Sequence, residues 1–161
     1  MVPTDDAFDR PRRWPVPDTR CAGTDGVVGG DGRDNLQAGA GDDHLDGGAG
    51  VDWMSGEEGH DVMIGGGEDD LLFGGSGNDR LYGDAGFDKV MGEAGSDQLW
   101  GGAGADWFSF KGPAALDGRD VIQDFQDGAD RVVIEKLGVK SYKAGGAAGT
   151  VFAHDLANGN V

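Results

Sequence analysis

An aspartate stands at every ninth residue over most of this chain: Asp25, Asp34, Asp43, Asp52, Asp61, Asp70, Asp79, Asp88, Asp97 and Asp106. Neither Asn nor Ser replaces it once, which is more than turn chemistry alone requires. Short carboxylates beside the carbonyls of a Gly-rich chain are hard oxygen donors. They suit Ca²⁺, which takes about six to eight such ligands, better than Mg²⁺, which dehydrates reluctantly. The alternative is that these aspartates only build turns.

The spacing belongs to a repeat of nine residues, run without insertion from Gly29 to Ser109. Units begin at Gly29, Ala38, Gly47, Gly56, Gly65, Gly74, Gly83, Gly92 and Gly101. Asp is always sixth. The eighth residue is always apolar: Leu36, Leu45, Met54, Met63, Leu72, Leu81, Val90, Leu99 and Phe108. A degenerate unit, Arg20 to Val28, keeps Gly23, Asp25 and Val27 in phase. The first six residues of a unit are turn formers, since Gly supplies positive φ freely and Asp favours turns. The last three alternate variable, apolar, variable, which is a short strand with one inward side chain. Two units then make one coil with a strand on each side. Coils stacked at about 4.7–4.9 Å give an all-β, parallel β-roll solenoid with a thin core of eighth residues.

Stacking puts the aspartates in two ladders. One edge collects Asp25, Asp43, Asp61, Asp79 and Asp97; the other collects Asp34, Asp52, Asp70, Asp88 and Asp106. Two carboxylates about 5 Å apart repel by roughly 3 kcal/mol at an effective dielectric of about 20. Such ladders need cations between their rungs.

The units Gly29-Gly30-Asp31-Gly32-Arg33-Asp34-Asn35-Leu36-Gln37 and Gly74-Gly75-Ser76-Gly77-Asn78-Asp79-Arg80-Leu81-Tyr82 resemble the G-G-x-G-x-D-x-U-x nonapeptide of RTX (hemolysin-type) calcium-binding proteins. The resemblance implies Ca²⁺ between turns one coil apart, held by the sixth-position Asp of both turns and by backbone carbonyls of the Gly-rich loop. Those carbonyls would come from Gly29, Gly30, Gly32, Gly47, Gly48, Gly50, Gly74, Gly75, Gly77, Gly101, Gly102 and Gly104. Five rungs per edge leave four gaps, so the resemblance implies at most about eight ions. Glu57, Asp84 and Glu93 at second positions, Glu68 at a fourth and Ala38 at a first depart from the pattern. They predict incomplete occupancy, most of all around Glu68.

Three regions follow: a disordered, Pro- and charge-rich leader over residues 1–19, the roll over 20–109, and a C-terminal capping segment over 110–161. The period breaks after Ser109. Arg119–Phe125 and Gln126–Ile134 read as two strands joined by a turn. They resemble the D-x-I-x-D-F-x-x-G-x-D-x-I segment that caps the roll in serralysin-type proteases, which implies that Asp120 or Asp124 binds a further ion. Thr150–His154 reads as one more strand, and Lys136–Lys143 as a basic stretch lying against the acidic roll. The turn-like Asn158-Gly159-Asn160 just before the end suggests a truncated cap or a fragment.

With a net charge of −17 the chain repels nucleic acid and anionic membranes. No segment is apolar enough to span a bilayer, and the N-terminus lacks the apolar run of a signal peptide. Cys21 is the one cysteine, so no internal disulfide forms. Outward strand positions carry apolar rows: Ile64, Tyr82 and Trp100 on one face, and Trp53, Leu71 and Trp107 on the other with Phe73 and Met91 nearby. Such rows imply cover by the C-terminal segment, self-association or a polysaccharide platform. His44 and His60 read as solvated residues.

No catalytic motif appears. His60 is followed by Asp61-Val62 and His44 by Leu45-Asp46, so there is no H-E-x-x-H, and no G-x-S-x-G occurs. The expected function is that of a non-enzymatic calcium-binding module that folds on Ca²⁺ binding. Resemblance adds secretion to the outside of the cell through type I machinery. The alternatives are an accessory module of a secreted hydrolase, lyase or epimerase, and a surface or matrix adhesion component.

Overall fold

The computed structural model describes residues 21–111, 118–135, 143–145 and 150–152. The leader, most of Lys136–Lys143 and Asn158–Asn160 lie outside the described residues. No helix occurs among those described, so none is present that is long and apolar enough to cross a membrane.

Two parallel sheets face each other. One runs β1 (Cys21–Ala22), β3 (Asn35–Ala40), β5 (Trp53–Glu58), β7 (Leu71–Gly77), β9 (Lys89–Gly95), β12 (Trp107–Lys111), β14 (Arg131–Glu135). The other runs β2 (Gly26–Asp31), β4 (His44–Ala49), β6 (Val62–Gly67), β8 (Arg80–Gly86), β10 (Gln98–Trp100), β13 (Val121–Ile122), and then β16 (Thr150–Phe152) and β15 (Lys143–Gly145). A short β11 (Ala103–Gly104) pairs with β8. Leu36 pairs with Met54 and Leu45 with Met63, a register of eighteen residues. This is the expected β-roll.

The eighth-position side chains fill the space between the sheets. Leu45, Met54, Met63, Leu72, Leu81, Val90, Leu99 and Phe108 are fully buried, and Phe110 and Ile122 extend the row. Each is worth about 1.5–3 kcal/mol of burial, and each contacts only its neighbours in a layer one side chain deep.

The strands are longer than the three residues the repeat predicts. β3 to β9 hold six or seven residues and run through the first three positions of the following unit. The reason is register. With no insertion between units, each turn lies directly over the turn one coil before, so its backbone continues the ladder: Gly30 pairs with Gly48 and Asp31 with Ala49. Glycine-rich sequence sets the bend but does not prevent pairing.

Beyond Lys111 the chain adds one more coil. Val121–Ile122 and Arg131–Glu135 are joined by a turn, as expected, but they lie in opposite sheets. β13 is parallel to β10 and β14 is parallel to β12. Thr150–Phe152 is a strand, antiparallel to β13.

Candidate metal centre

Each sixth-position aspartate uses its two carboxylate oxygens differently. Oδ1 accepts the backbone N–H of the aspartate one coil earlier. Asp25 N–H donates to Asp43 at 2.7 Å, Asp52 N–H to Asp70 at 2.8 Å, Asp79 N–H to Asp97 at 2.9 Å, and the pattern holds along both edges. The aspartate carbonyl accepts from the coil after it, as in Trp53 N–H to Asp34 O at 2.9 Å. Asp is short enough for this reach, and its own backbone is fixed on both sides.

Oδ2 is left over. In Asp25, Asp34, Asp43, Asp52, Asp61, Asp70, Asp79, Asp88, Asp97, Asp106 and Asp120 it is buried and has no hydrogen-bond partner. From Asp34 to Asp106 no ladder aspartate is more than 3% exposed. A buried carboxylate oxygen without a partner is costly, so it calls for a proton or a cation. Burial drives the carboxyls upward: Asp61 and Asp88 to about 6, Asp70 and Asp79 to about 7, and Asp120, beside Asp97, to about 8. Asp34, Asp43, Asp52, Asp97 and Asp106 shift the same way for the same reason.

The turn glycines shape the space around each Oδ2. At the first position the reason is room, since a Cβ on Gly47 would lie 2.6 Å from Asp52 Oδ2 and 2.6 Å from Gly65 O. The same cradle recurs at Gly74, with Asp79 Oδ2 at 2.5 Å and Gly92 O at 2.7 Å. The carbonyls of Gly47 and Gly101 face the corresponding cradles of Gly29 and Gly83. Ala38 stands at this first position in the unit of Asp43 and is fully buried. At the second and fourth positions positive φ and room act together, since a Cβ on Gly48 would run into Gly30 O and one on Gly50 into Gly32 O; the four acidic departures adopt positive φ too: Glu57 at 77°, Glu68 at 76°, Asp84 at 72° and Glu93 at 72°. Carbonyls at these positions point toward the next coil, Gly30 O at Gly48, Gly32 O at Gly50 and Gly59 O at Gly77.

Among the described residues no three His, Cys, Asp or Glu side chains converge on one point. An ion between rungs would therefore be held by orphaned Oδ2 atoms together with backbone carbonyls. A cradle lined only by oxygens fits a hard divalent cation, and a calcium ion fits that set.

The final coil extends both ladders. Asp97 N–H donates to Asp120 at 3.0 Å, and Asp106 N–H donates to Asp130 at 3.0 Å. Asp120 keeps an orphaned Oδ2, whereas Asp130 Oδ2 accepts the Gln126 N–H at 2.7 Å. Asp124 stands elsewhere, with both oxygens on the amides of Gly101 and Gly102 at 2.9 and 2.8 Å. Gln126 Nε2 donates to Gly102 O. Asp130 was not among the expected residues, although Gly128-Ala129-Asp130-Arg131-Val132 repeats the Gly-x-Asp-x-apolar spacing of a roll unit.

A second ladder runs outside the first at the fifth position. His60 N–H donates to Asp42 at 2.8 Å, Asn78 N–H to His60 Nδ1 at 2.8 Å, Ser96 N–H to Asn78 at 2.9 Å and Arg119 N–H to Ser96 Oγ at 3.0 Å. His44 is exposed on β4. On the outer faces the aromatic rows pack along themselves. Tyr82 stacks on Trp100 at 4.3 Å, Trp53 lies against Phe73 at 5.6 Å, and Trp107 is flanked by Phe87 at 5.2 Å and by Lys89 Nζ at 5.4 Å.

Fold and side-chain geometry together define a parallel β-roll with a row of buried, unpartnered carboxylate oxygens along each edge. The model of the RTX calcium-binding nonapeptide repeat matches residues 28–63, 55–90 and 82–110. The chain belongs to that family. No curated protein and no solved structure matches it.

Proposed function

We propose that this chain is a non-catalytic calcium-binding module whose roll forms as Ca²⁺ binds. The observation that carries this is the row of buried, unpartnered Asp Oδ2 atoms, one per turn on both edges. Without a cation, neighbouring rungs repel and each carboxylate bears an uncompensated desolvation cost. The chain's net charge of −17 adds a diffuse repulsion that favours expansion. A bound divalent ion supplies the missing positive charge, so its binding free energy becomes folding free energy. The ladder aspartates from Asp25 to Asp106 and Asp120 would hold the ions from their side chains, and the turn carbonyls would complete the shells.

Family membership supports export to a calcium-rich exterior through type I machinery, since RTX proteins are typically secreted. Extracellular calcium modules work at about 10⁻⁴–10⁻³ M, a range absent from the interior of a cell.

Calorimetric titration of the chelator-stripped chain tests the reading. The expected result is uptake of several Ca²⁺ per chain with no comparable response to Mg²⁺. Equal response to both ions, or uptake of none, would overturn it.

A further inference from the structure

The outer face of the seven-stranded sheet carries a groove that runs along the axis of the roll. Phe73, Met91 and Ser109 follow the core residues Leu72, Val90 and Phe108, so their side chains face outward. They form one row, since Phe73 pairs with Met91 and β9 pairs with β12 in the same register. With Leu71, Lys89 and Lys111 they line a cavity of about 260 Å³. An apolar cavity of about 150 Å³ already holds benzene. The floor is deep: Met91 and Ser109 are 7% and 9% exposed, and Ser109 Oγ is buried without a hydrogen-bond partner. A hydroxyl in that state calls for a polar partner, which a peptide backbone laid over it supplies. On a chain of net charge −17 the rim here is mainly basic. Lys89, Lys111 and Arg131 stand on the neighbouring strands β9, β12 and β14. Glu93 joins this cavity to a second depression, where Glu57 and Glu58 make the groove acidic.

The leader joins the roll in line with this groove. Cys21 pairs with Gly39, Gly39 with Glu57, Glu57 with Gly75 and Gly75 with Glu93, which is one row across the sheet. From β1 to β9 is four strand spacings, about 19 Å at about 4.8 Å each. Phe8 lies thirteen residues before Cys21, a length that reaches up to about 43 Å when extended. The charges of the leader come in the order of the groove. Arg10, Arg12 and Arg13 are nearer the roll, as are Glu57 and Glu58; Asp5-Asp6-Ala7-Phe8-Asp9 is farther, as are Lys89, Lys111 and Arg131. Trp14, the other aromatic residue before Cys21, follows Arg13 and so brings the wrong charge to a basic rim. We propose that the leader crosses this face as a strap, with Phe8 in the cavity over Met91, and with Asp5, Asp6 and Asp9 against Lys89, Lys111 and Arg131. The strap requires the roll and stands apart from the calcium reading of the ladders.

Carbodiimide cross-linking of the full chain, under conditions that give its full β signal by circular dichroism, tests the strap. The reagent joins a carboxylate to an amine only where the two already touch. Peptide mass mapping of the single-chain fraction should find Lys89 or Lys111 bonded to Asp5, Asp6 or Asp9. Phe8→Ala should leave the β signal unchanged and lower that yield about tenfold, because losing a docked phenyl forfeits more than a tenfold change in population requires. Equal yields in Phe8→Ala would mean that the charges meet without a docked ring, and would overturn the proposal. Links from these lysines to Asp117 or Asp155 in place of the leader, links found only between two chains, or no links at all would overturn it as well.

Discussion

The backbone N–H of Asp97 donates to the carboxylate of Asp120 at 3.0 Å, across the junction between the last regular coil and the chain that follows it. The same relation links each earlier rung to the next, so every rung depends on its successor for one carboxylate acceptor. Asp120 therefore does two jobs, and they separate by mutation. Asp120→Ala should cost about 1–3 kcal/mol, because it orphans the Asp97 amide. Asp120→Asn keeps an acceptor oxygen and removes the charge, so it should preserve most of the stability but lower calcium uptake. Denaturant midpoints and calorimetry in parallel check both halves.

Asp130 makes the contrasting prediction. Its Oδ1 takes the Asp106 amide and its Oδ2 takes the Gln126 amide, so neither oxygen is left over. Asp130→Asn should leave the number of bound ions unchanged. Loss of an ion in that variant, measured by equilibrium dialysis, would show that its oxygens turn to metal in the loaded protein.

The glycines separate by what lies around them, and Gly30, in the first stacked turn, is uncrowded where Gly48 and Gly75 at the same position are not. Gly74→Ala would bring a methyl to 2.5 Å from Asp79 Oδ2 and 2.7 Å from Gly92 O. It should reduce calcium uptake at that rung and destabilise the loaded roll by about 1–3 kcal/mol through overpacking. Gly30→Ala meets nothing within 4 Å, although its φ is +107°. Its cost should be confined to backbone strain, about 1–2 kcal/mol, with ion stoichiometry unchanged.

This difference marks what the sequence left hidden. The period alone places Leu36 over Met54 and Asp34 over Asp52, because an uninterrupted repeat has one register. It does not distinguish why glycine recurs at Gly74 and at Gly30, since crowding and positive φ select the same residue. Asp130 escaped because it lies 24 residues beyond Asp106, outside the strict eighteen-residue phase. The resemblance pointed to Asp120 or Asp124, and of the two Asp124 accepts the amides of Gly101 and Gly102 while Asp120 keeps an orphaned oxygen. The fifth-position ladder escaped because Asp42, His60, Asn78 and Ser96 share no residue type, only the capacity to accept a hydrogen bond.

Acid should substitute in part for calcium. The metal-free roll holds Asp70 and Asp79 at about 7 and Asp61 and Asp88 at about 6, against an ordinary 3.8, chiefly by burial. A raised folded-state carboxyl means that the folded chain binds more protons than the unfolded one, so stability falls as pH rises. In chelator, β structure should be greatest near pH 4 and be lost as pH climbs through about 6 to 8. Calcium competes with those protons for the same oxygens, so its affinity for the folded roll should fall between about pH 8 and pH 5. Circular dichroism in chelator reads the first trend and calorimetric calcium titration the second.

The most direct test of the account is far-UV circular dichroism with sedimentation velocity at about pH 8, while Ca²⁺ is raised from zero to about 10 mM with Mg²⁺ as control. The ladder of unpartnered Asp Oδ2 atoms predicts a cooperative gain of β signal together with compaction, specific to calcium. A β signal already complete in chelator at that pH would contradict it, because the rungs would then be stable without any cation between them.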